Sequence, residues 1–315
     1  MRIPMMVILS ILLSMWCSLA QGVPPGVNAA AQSRFGVGAL PLSMGSAFTA
    51  LPGGALSVYW NPAYLAAASP AITGMYTEPF GGGLNYRIQF LALGGHYREF
   101  GFGVGWFNSH VGGIPYTEEN TTFDYDSSIY YLSGALRLTD ERLKGDFFVG
   151  VSAKLYRDAM LQGSAQGLGW DLGLALALGD LRLAYCGQDV GNTRYRWHGT
   201  GQEPLVIIPW IHRFGVAYSL LQGKVTLTGD LYLDRSSTLP FQGRFGGEYT
   251  LGEWLKIRAG VRLDPQGDRY HPVLTLGLGI GPWKGFSLDY AYLHNPLPAS
   301  GISTDTHVFS VSIRF

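Results

Sequence analysis

The chain has 315 residues, of which 47% are hydrophobic and only 14% are charged, and its formal net charge is zero. A neutral chain excludes a nucleic-acid-binding protein that depends on broad basic charge. The composition includes 44 Gly, 18 Tyr, 16 Phe and 8 Trp residues. Glycine this frequent, without a collagen repeat, suits a crowded β-structure, and the aromatic content argues against disorder.

Residues 1–20 are typical of a secretory signal peptide. Arg2 supplies the positive start, Met5–Trp16 the apolar core and Ser18–Ala20 a small-residue cleavage pattern, so we expect cleavage after Ala20. A membrane anchor is the alternative, but a span needs roughly twenty apolar residues. Lipidation of Cys17 is disfavoured because bulky Trp16 stands where a small residue is needed.

Cleavage leaves Cys186 as the only cysteine, which predicts neither an intramolecular disulfide nor a thiolate metal cluster. No run of eighteen apolar residues follows residue 20, so the sequence predicts no transmembrane helix. A secreted chain without spanning helices, but rich in alternating segments, fits a bacterial outer membrane.

The stretch Thr306–Phe315 alternates between an apolar and a mostly polar face, as a strand does. This pattern is typical of the closing strand of a transmembrane β-barrel, whose outer face contacts lipid. We interpret its apolar residues as a signal read by the barrel-assembly machinery. The candidate signal residues are Phe309, Val311, Ile313 and Phe315.

Segments of about ten alternating residues fill the rest of the chain and predict a fourteen-stranded antiparallel transmembrane barrel, an all-β fold. The predicted strands are 71–78, 86–97, 99–109, 127–138, 146–157, 167–178, 180–187, 210–220, 224–234, 241–251, 254–264, 272–280, 285–293 and 306–315.

Two of these strands, 241–251 and 254–264, carry charged residues on the face opposite their apolar residues. Burying such charges in a dry core is costly, so we expect them to face the lumen. They either bind a ligand or, as we favour, pair across strands and hold a plug. The candidate lumen-facing residues are Arg244, Glu248, Lys256, Arg258 and Arg262.

Link lengths also alternate between short and long, as in an up-and-down barrel with short periplasmic turns and long external loops. A secreted β-sandwich, the alternative fold, predicts no such alternation. The long links are 110–126, 158–166, 188–209 and 294–305, and the short ones are Arg98, Gly179, Leu221–Gly223 and Gly252–Glu253.

Residues 21–70 do not alternate; they are nearly uncharged and rich in Ala, Gly and Pro. We expect a weakly helical unit that packs against another part of the chain. Glycines on the inner face of strands, such as Gly101, Gly103 and Gly105, leave room for it in the lumen. The predicted organisation is therefore a signal peptide (1–20), a plug or hatch (21–70) and a barrel (71–315).

The stretches Pro41–Ala50 and Tyr59–Ala63 resemble the start of the PorV/PorQ family of outer-membrane proteins, which is related to the FadL-type transporters of hydrophobic compounds. The resemblance implies a hatch inside the barrel. One difference is Leu51–Gly54, where family members usually carry acidic residues. The hatch residues that the resemblance implies are Met44, Gly45, Trp60, Asn61, Pro62 and Ala63.

No catalytic motif is present, and the seven histidines are scattered, so we predict no enzyme, cofactor or metal site. A rim site built from Ser109, His110, Asp124 and Asp126 is the alternative, and a solvated polar loop explains these residues better.

Two functions remain. The PorV/PorQ resemblance implies a docking or channel component of a type IX-like secretion system, with secretion-system proteins as partners. The external loops, mainly 110–126 and 188–209, would then act, and the lumen would be sealed. In 188–209, Tyr195, Trp197 and Pro204, with neighbouring Trp210, suggest an exposed apolar surface. The alternative is a FadL-like passive transporter of hydrophobic small molecules, which predicts an apolar lumen pocket near Phe48, Tyr59 and Trp60. Outer-membrane lipid is a predicted partner of both.

Overall fold

A computed structural model of the chain describes residues 34–79, 85–116, 119–140, 145–161, 163–199, 203–234, 236, 239–266, 268–294 and 305–315. The predicted signal peptide and residues 21–33 of the predicted hatch lie outside the described residues. Among the described residues, no helix is long and apolar enough to cross a bilayer.

Antiparallel strands make up most of the described chain. They are β1 Ala71–Thr77, β2 Tyr86–Tyr97, β3 Phe100–Tyr116, β4 Thr121–Asp140, β5 Gly145–Met160, β6 Gly163–Leu178, β7 Leu181–Gln188, β8 Thr193–His198, β9 Leu205–Ile208, β10 Ile211–Leu220, β11 Val225–Leu233, β12 Phe241–Leu251, β13 Leu255–Gln266, β14 Arg269–Trp283, β15 Phe286–His294 and β16 Thr306–Arg314.

Fourteen of the strands close a barrel, and β8 and β9 form an extra hairpin. Closure comes from β1, which pairs with β16 from Ala71–Arg314 to Thr77–Val308, and from β5, which pairs with β6. Each predicted strand coincides with one barrel strand, so the predicted fourteen-stranded antiparallel barrel is confirmed. Closure joins the two ends of the fourteen-strand sheet, which is the condition for spanning a bilayer with strands.

The outer wall is apolar. In β14, Leu274, Leu276, Leu278 and Ile280 are each about half exposed, whereas Thr275 between them is buried. The period of two sets leucine outward and small or polar groups inward, which reverses the pattern of a soluble protein. This surface is suited to lipid rather than to water.

Two predicted long links are mostly strand, so their prediction as loops was wrong. β3 continues to Tyr116 and β4 starts at Thr121, which leaves little of 110–126 unpaired. Likewise β5 ends at Met160 and β6 begins at Gly163. In the sequence these segments resemble loops, because a strand that extends beyond the apolar belt can carry polar residues on both faces. His110 and Asp126, for example, lie opposite each other and bond at 2.9 Å.

Residues 34–70, the described part of the chain before β1, fold inside the barrel. This part contains helix α1 (Ala39–Ser43), helix α2 (Ser57–Trp60) and two 3₁₀-helices, Gly54–Leu56 and Pro62–Ala67. Asn61 caps the last of these, because its side chain accepts a hydrogen bond from the Ala63 N–H. Nearly every side chain from residue 37 to 66 is buried. We call residues 34–70 the hatch.

Candidate functional site

The hatch touches the wall where the wall has glycine. A Cβ on Gly260 would collide with the backbone of Met44 and Gly45, and one on Gly150 would collide with Ala63. Gly45 has φ +64°, and its own Cβ would strike backbone atoms of Phe245. The wall glycines that face the hatch include Gly94, Gly101, Gly103, Gly150, Gly173, Gly215, Gly246, Gly260 and Gly277. The hatch crosses the lumen in the half that carries the short turns, which the link lengths predict to be the periplasmic end.

Polar side chains anchor the hatch to the wall. Asp230 on β11 accepts hydrogen bonds at 2.9 Å from the backbone N–H groups of Phe48 and Thr49, and at 2.7 Å from the Thr49 hydroxyl. Asn61 donates to the carbonyl of Thr49 at 3.0 Å. Burial raises the pKa of the Tyr64 phenol, which donates to a backbone carbonyl at 2.8 Å. These bonds satisfy backbone groups that have left water.

The centre of the hatch is closed by aromatic rings. Phe48, Tyr59 and Trp60 are at most 2% exposed. The Trp60 ring lies 5.9 Å from Phe48 and 5.1 Å from Tyr59, both edge to face. The apolar pocket predicted beside these residues is therefore filled by their own side chains in this structure.

Two buried arginines stand beside the aromatic rings. Arg213 lies over Tyr59, Trp60 and Tyr232, and Arg244 lies over Tyr232 at 3.5 Å. Among the described residues, Nε and one terminal nitrogen of Arg213, and Nε of Arg244, have no hydrogen-bond partner. Sequence analysis placed Arg244 in the lumen and missed Arg213, the inward-facing cation of β10.

The other sequence-selected charges pair with acids. Arg258 bonds Glu248 at 2.6 Å and Asp289 at 2.7 Å, and Lys256 lies 3.6 Å from Glu248. We call these four residues the periplasmic cluster. Arg262 pairs separately with Asp264, at 2.8 Å. A cavity of about 90 Å³ separates the periplasmic cluster from hatch residues 52–54.

A second ionic group, which sequence analysis missed, lies midway up the lumen. Lys154 bonds Asp171 at 2.7 Å and Asp189 at 2.8 Å. Asp189 also accepts hydrogen bonds from the hydroxyls of Tyr156 and Thr193. We call these five residues the central cluster. The sequence signal was weak, because Lys154 is one of several charged residues in β5, and Asp171 is the single charge of β6.

The wall is interrupted beside the central cluster. β6 pairs with β7 from Leu172 onward and with β8 only at Ser164 and Ala165. Between these ladders, one backbone hydrogen bond crosses, from Val190 to Trp170 at 2.8 Å. The chain turns inward here, with positive φ at Asp189, Gly191 and Asn192. We call this interruption the wall break.

The hairpin β8–β9 turns its aromatic face into the lumen. Tyr195 is buried and donates to Asp158 at 2.6 Å, and Trp197 is buried as well. Trp210 is partly buried and stacks on His212. The exposed apolar surface predicted for 188–209 was therefore wrong for Tyr195 and Trp197, although Pro204 is exposed. The two aromatics alternate with Arg194 and Arg196, and that period of two sends them inward.

The C-terminal signal residues lie on the outer face of β16. Phe309, Val311, Ile313 and Phe315 are all exposed. The Phe309 ring contacts Tyr290 of the neighbouring strand, with 5.3 Å between centroids. They form part of the apolar outer wall, and their reading by the assembly machinery stays a prediction.

Comparisons with known proteins resolve the fold. No protein-family model matches the chain, and no curated protein sequence does. The toluene transporter TbuX of Ralstonia pickettii has a TM-score of 0.60 at 15% identity, over 89% of this chain and 98% of that one. The Pseudomonas putida toluene transporter TodX has a TM-score of 0.58 at 16% identity, over 89% of this chain and 99% of that one. A Pseudomonas aeruginosa FadL homologue has a TM-score of 0.56 at 13% identity, over 93% of this chain and 99% of that one.

This chain has a FadL-like barrel fold. With its closed wall and apolar outer surface, it is a protein of the bacterial outer membrane. The nearer resemblance to PorV/PorQ proteins rests on the two hatch motifs alone and stays a prediction.

Proposed function

We propose that the chain is a passive outer-membrane channel for small hydrophobic compounds, without enzymatic activity. The observation that carries this proposal is the wall break, where a single backbone hydrogen bond of the described residues crosses from residues 166–171 of β6 to the following segment. The neighbours described as toluene transporters share the fold, which supports the same class of solute.

The lumen above the hatch is suited to an apolar solute. Ile88, Phe90, Phe107 and Ile129 face inward and belong to the same buried apolar cluster as the aromatic rings of the hatch. Transferring apolar surface from water to such a lining is favourable by about 25 cal/mol per Å². A hydrophilic solute gains nothing comparable and loses its hydration. The lining therefore selects for hydrophobicity rather than for a particular functional group.

The route that we propose leaves the lumen sideways. Leu168 and Trp170 of β6 border the wall break and are exposed on the outer face. A solute that passes between β6 and the hairpin β8–β9 moves from an apolar lining directly into lipid. The hatch can then stay in place and keep the periplasmic end closed to water and ions.

The docking function has lost its main structural argument. It depended on exposed aromatics in 188–209, and Tyr195 and Trp197 are buried. We therefore prefer the transporter, which was the alternative in the sequence analysis, over a secretion-associated component.

A reversible disulfide tests the proposal. Ser164 and His198 form a cross-strand pair at the tip of β6 and β8, and both are exposed. In a background in which buried Cys186 is replaced by Ala, S164C/H198C ties the hairpin to β6. We expect oxidation to lower the uptake of a radiolabelled monoaromatic hydrocarbon by vesicles several-fold, and reduction to restore it.

The matched control is Y116C/T121C, which ties the tip of β3 to β4, away from the wall break. Its oxidation should leave uptake unchanged. Vesicles that take up the hydrocarbon no faster than protein-free vesicles, or an oxidised S164C/H198C protein with full uptake, would overturn the proposal.

A further inference from the structure

Three arginines stand on the outer face of the wall near its extracellular end. Arg157 of β5 and Arg194 and Arg196 of β8 are all exposed. Arg157 lies opposite Gln166 of β6. In the antiparallel pair β6–β8, Ala165 lies opposite Trp197. Gln166 comes one residue after Ala165 and Arg196 one residue before Trp197, so these two lie next to that pair on the same side. The arginines therefore share one patch across three neighbouring strands.

This patch borders the apolar belt. Leu155 precedes Arg157 on the same face of β5, and it is 41% exposed. On β6, Leu168 and Trp170 follow Gln166 toward the periplasmic end, and more than half of each is exposed. Aromatic residues mark the level at which hydrocarbon gives way to headgroups. The three guanidinium groups thus lie at headgroup height.

The patch also keeps its charge. Among the described residues, no ion pair or hydrogen bond involves the side chains of Arg157, Arg194 or Arg196. The acids of the same and adjoining segments have other hydrogen-bond partners: Asp126 bonds His110, Asp158 accepts from inward-facing Tyr195, and Glu203 lies 3.4 Å from His198. Within the described residues, the guanidinium donors of all three arginines therefore stay available to a ligand at the lipid surface.

We propose that Arg157, Arg194 and Arg196 bind the phosphate groups of a phosphorylated lipid headgroup in the outer leaflet. The guanidinium fork matches phosphate oxygens with two parallel hydrogen bonds, which a single ammonium cannot do. Two of the three arginines belong to the hairpin that borders the wall break. The lipid would therefore hold that hairpin at the membrane surface. The inference stands independently of the transported solute.

The test measures the binding of bis-phosphorylated lipid A to the full chain in detergent. Native mass spectrometry detects the bound lipid. The variant R157Q/R194Q/R196Q should bind at least tenfold more weakly than the unchanged chain. The matched control is R98Q/K224Q/K284Q, which removes three exposed cations from the periplasmic turns. It should bind normally. Since all six residues are exposed, both variants should keep the heat-dependent gel mobility of a folded barrel.

Two further arms identify the source of the phosphate. Dephosphorylated lipid A should bind weakly to all three proteins, and inorganic phosphate at equal concentration should not displace the phosphorylated lipid. Equal binding by both variants overturns the proposal. So does displacement by inorganic phosphate, which would make the patch a site for the free ion.

Discussion

Two buried ionic clusters brace the lumen, and they differ in their access to water. In the periplasmic cluster, the acids that hold Arg258 are 16% (Glu248) and 11% (Asp289) exposed, and Glu248 has a second cation nearby. In the central cluster, Lys154, Asp171 and Asp189 are at most 6% exposed, and one cation serves two acids. Charges that have lost their hydration depend most on their partners.

The two clusters also hold different parts of the molecule. Arg258 of β13 reaches across β14 to Asp289 of β15, so it joins strands that the ladder already connects. Asp189 belongs to the inward turn at the wall break, where one backbone hydrogen bond crosses to β6. The periplasmic cluster therefore reinforces a continuous sheet, whereas the central cluster replaces the missing ladder.

The largest effect is expected for Lys154→Met, which leaves two buried carboxylates without a cation. Removing one partner of a buried ion pair costs about 3–5 kcal/mol. Urea unfolding in lipid vesicles measures the loss. The triple variant K154M/D171N/D189N carries no charge in the central cluster and should regain more than half of the lost stability. A Lys154→Met protein as stable as the unchanged chain would contradict the central cluster's dependence on its lysine.

A smaller loss is expected for Arg258→Met. Glu248 and Asp289 reach water, and Lys256 still neutralises Glu248, so we expect about 1–3 kcal/mol, the usual cost of a buried group left without its partner. The same unfolding experiment measures it. A loss equal to that of Lys154→Met would show that solvent access does not distinguish the clusters.

The smallest effect is expected for Lys256→Met. The lysine is 28% exposed and 3.6 Å from Glu248. Partly exposed ion pairs of this kind contribute about 0–1 kcal/mol. The loss should also shrink as salt is added, because salt screens exposed charges. A salt-independent loss above this range would place Lys256 in the same class as Arg258.

The strands and the buried hatch could be predicted because their signals are local. Lys256, Arg258 and Arg262 stand at alternate positions in a strand whose other face is apolar, so their inward direction followed from the period of two. Lys154, Asp171 and Arg213 lie in three separate strands and form no alternating row of charges within any of them. Only the register among those strands brings Lys154 to Asp171 and Arg213 to the hatch aromatics, and no local pattern encodes that register.

The amino-acid sequence alone determined which faces meet lipid, how many strands close the barrel, and that an uncharged leading segment needs a glycine-lined space. Each of these follows from composition or from neighbours one or two residues apart. Tertiary structure decided that the aromatics of 188–209 turn inward, that hatch rings fill the expected pocket, and which charges neutralise each other. These outcomes depend on atoms far apart in the chain, whose distances exist only once the cylinder has closed.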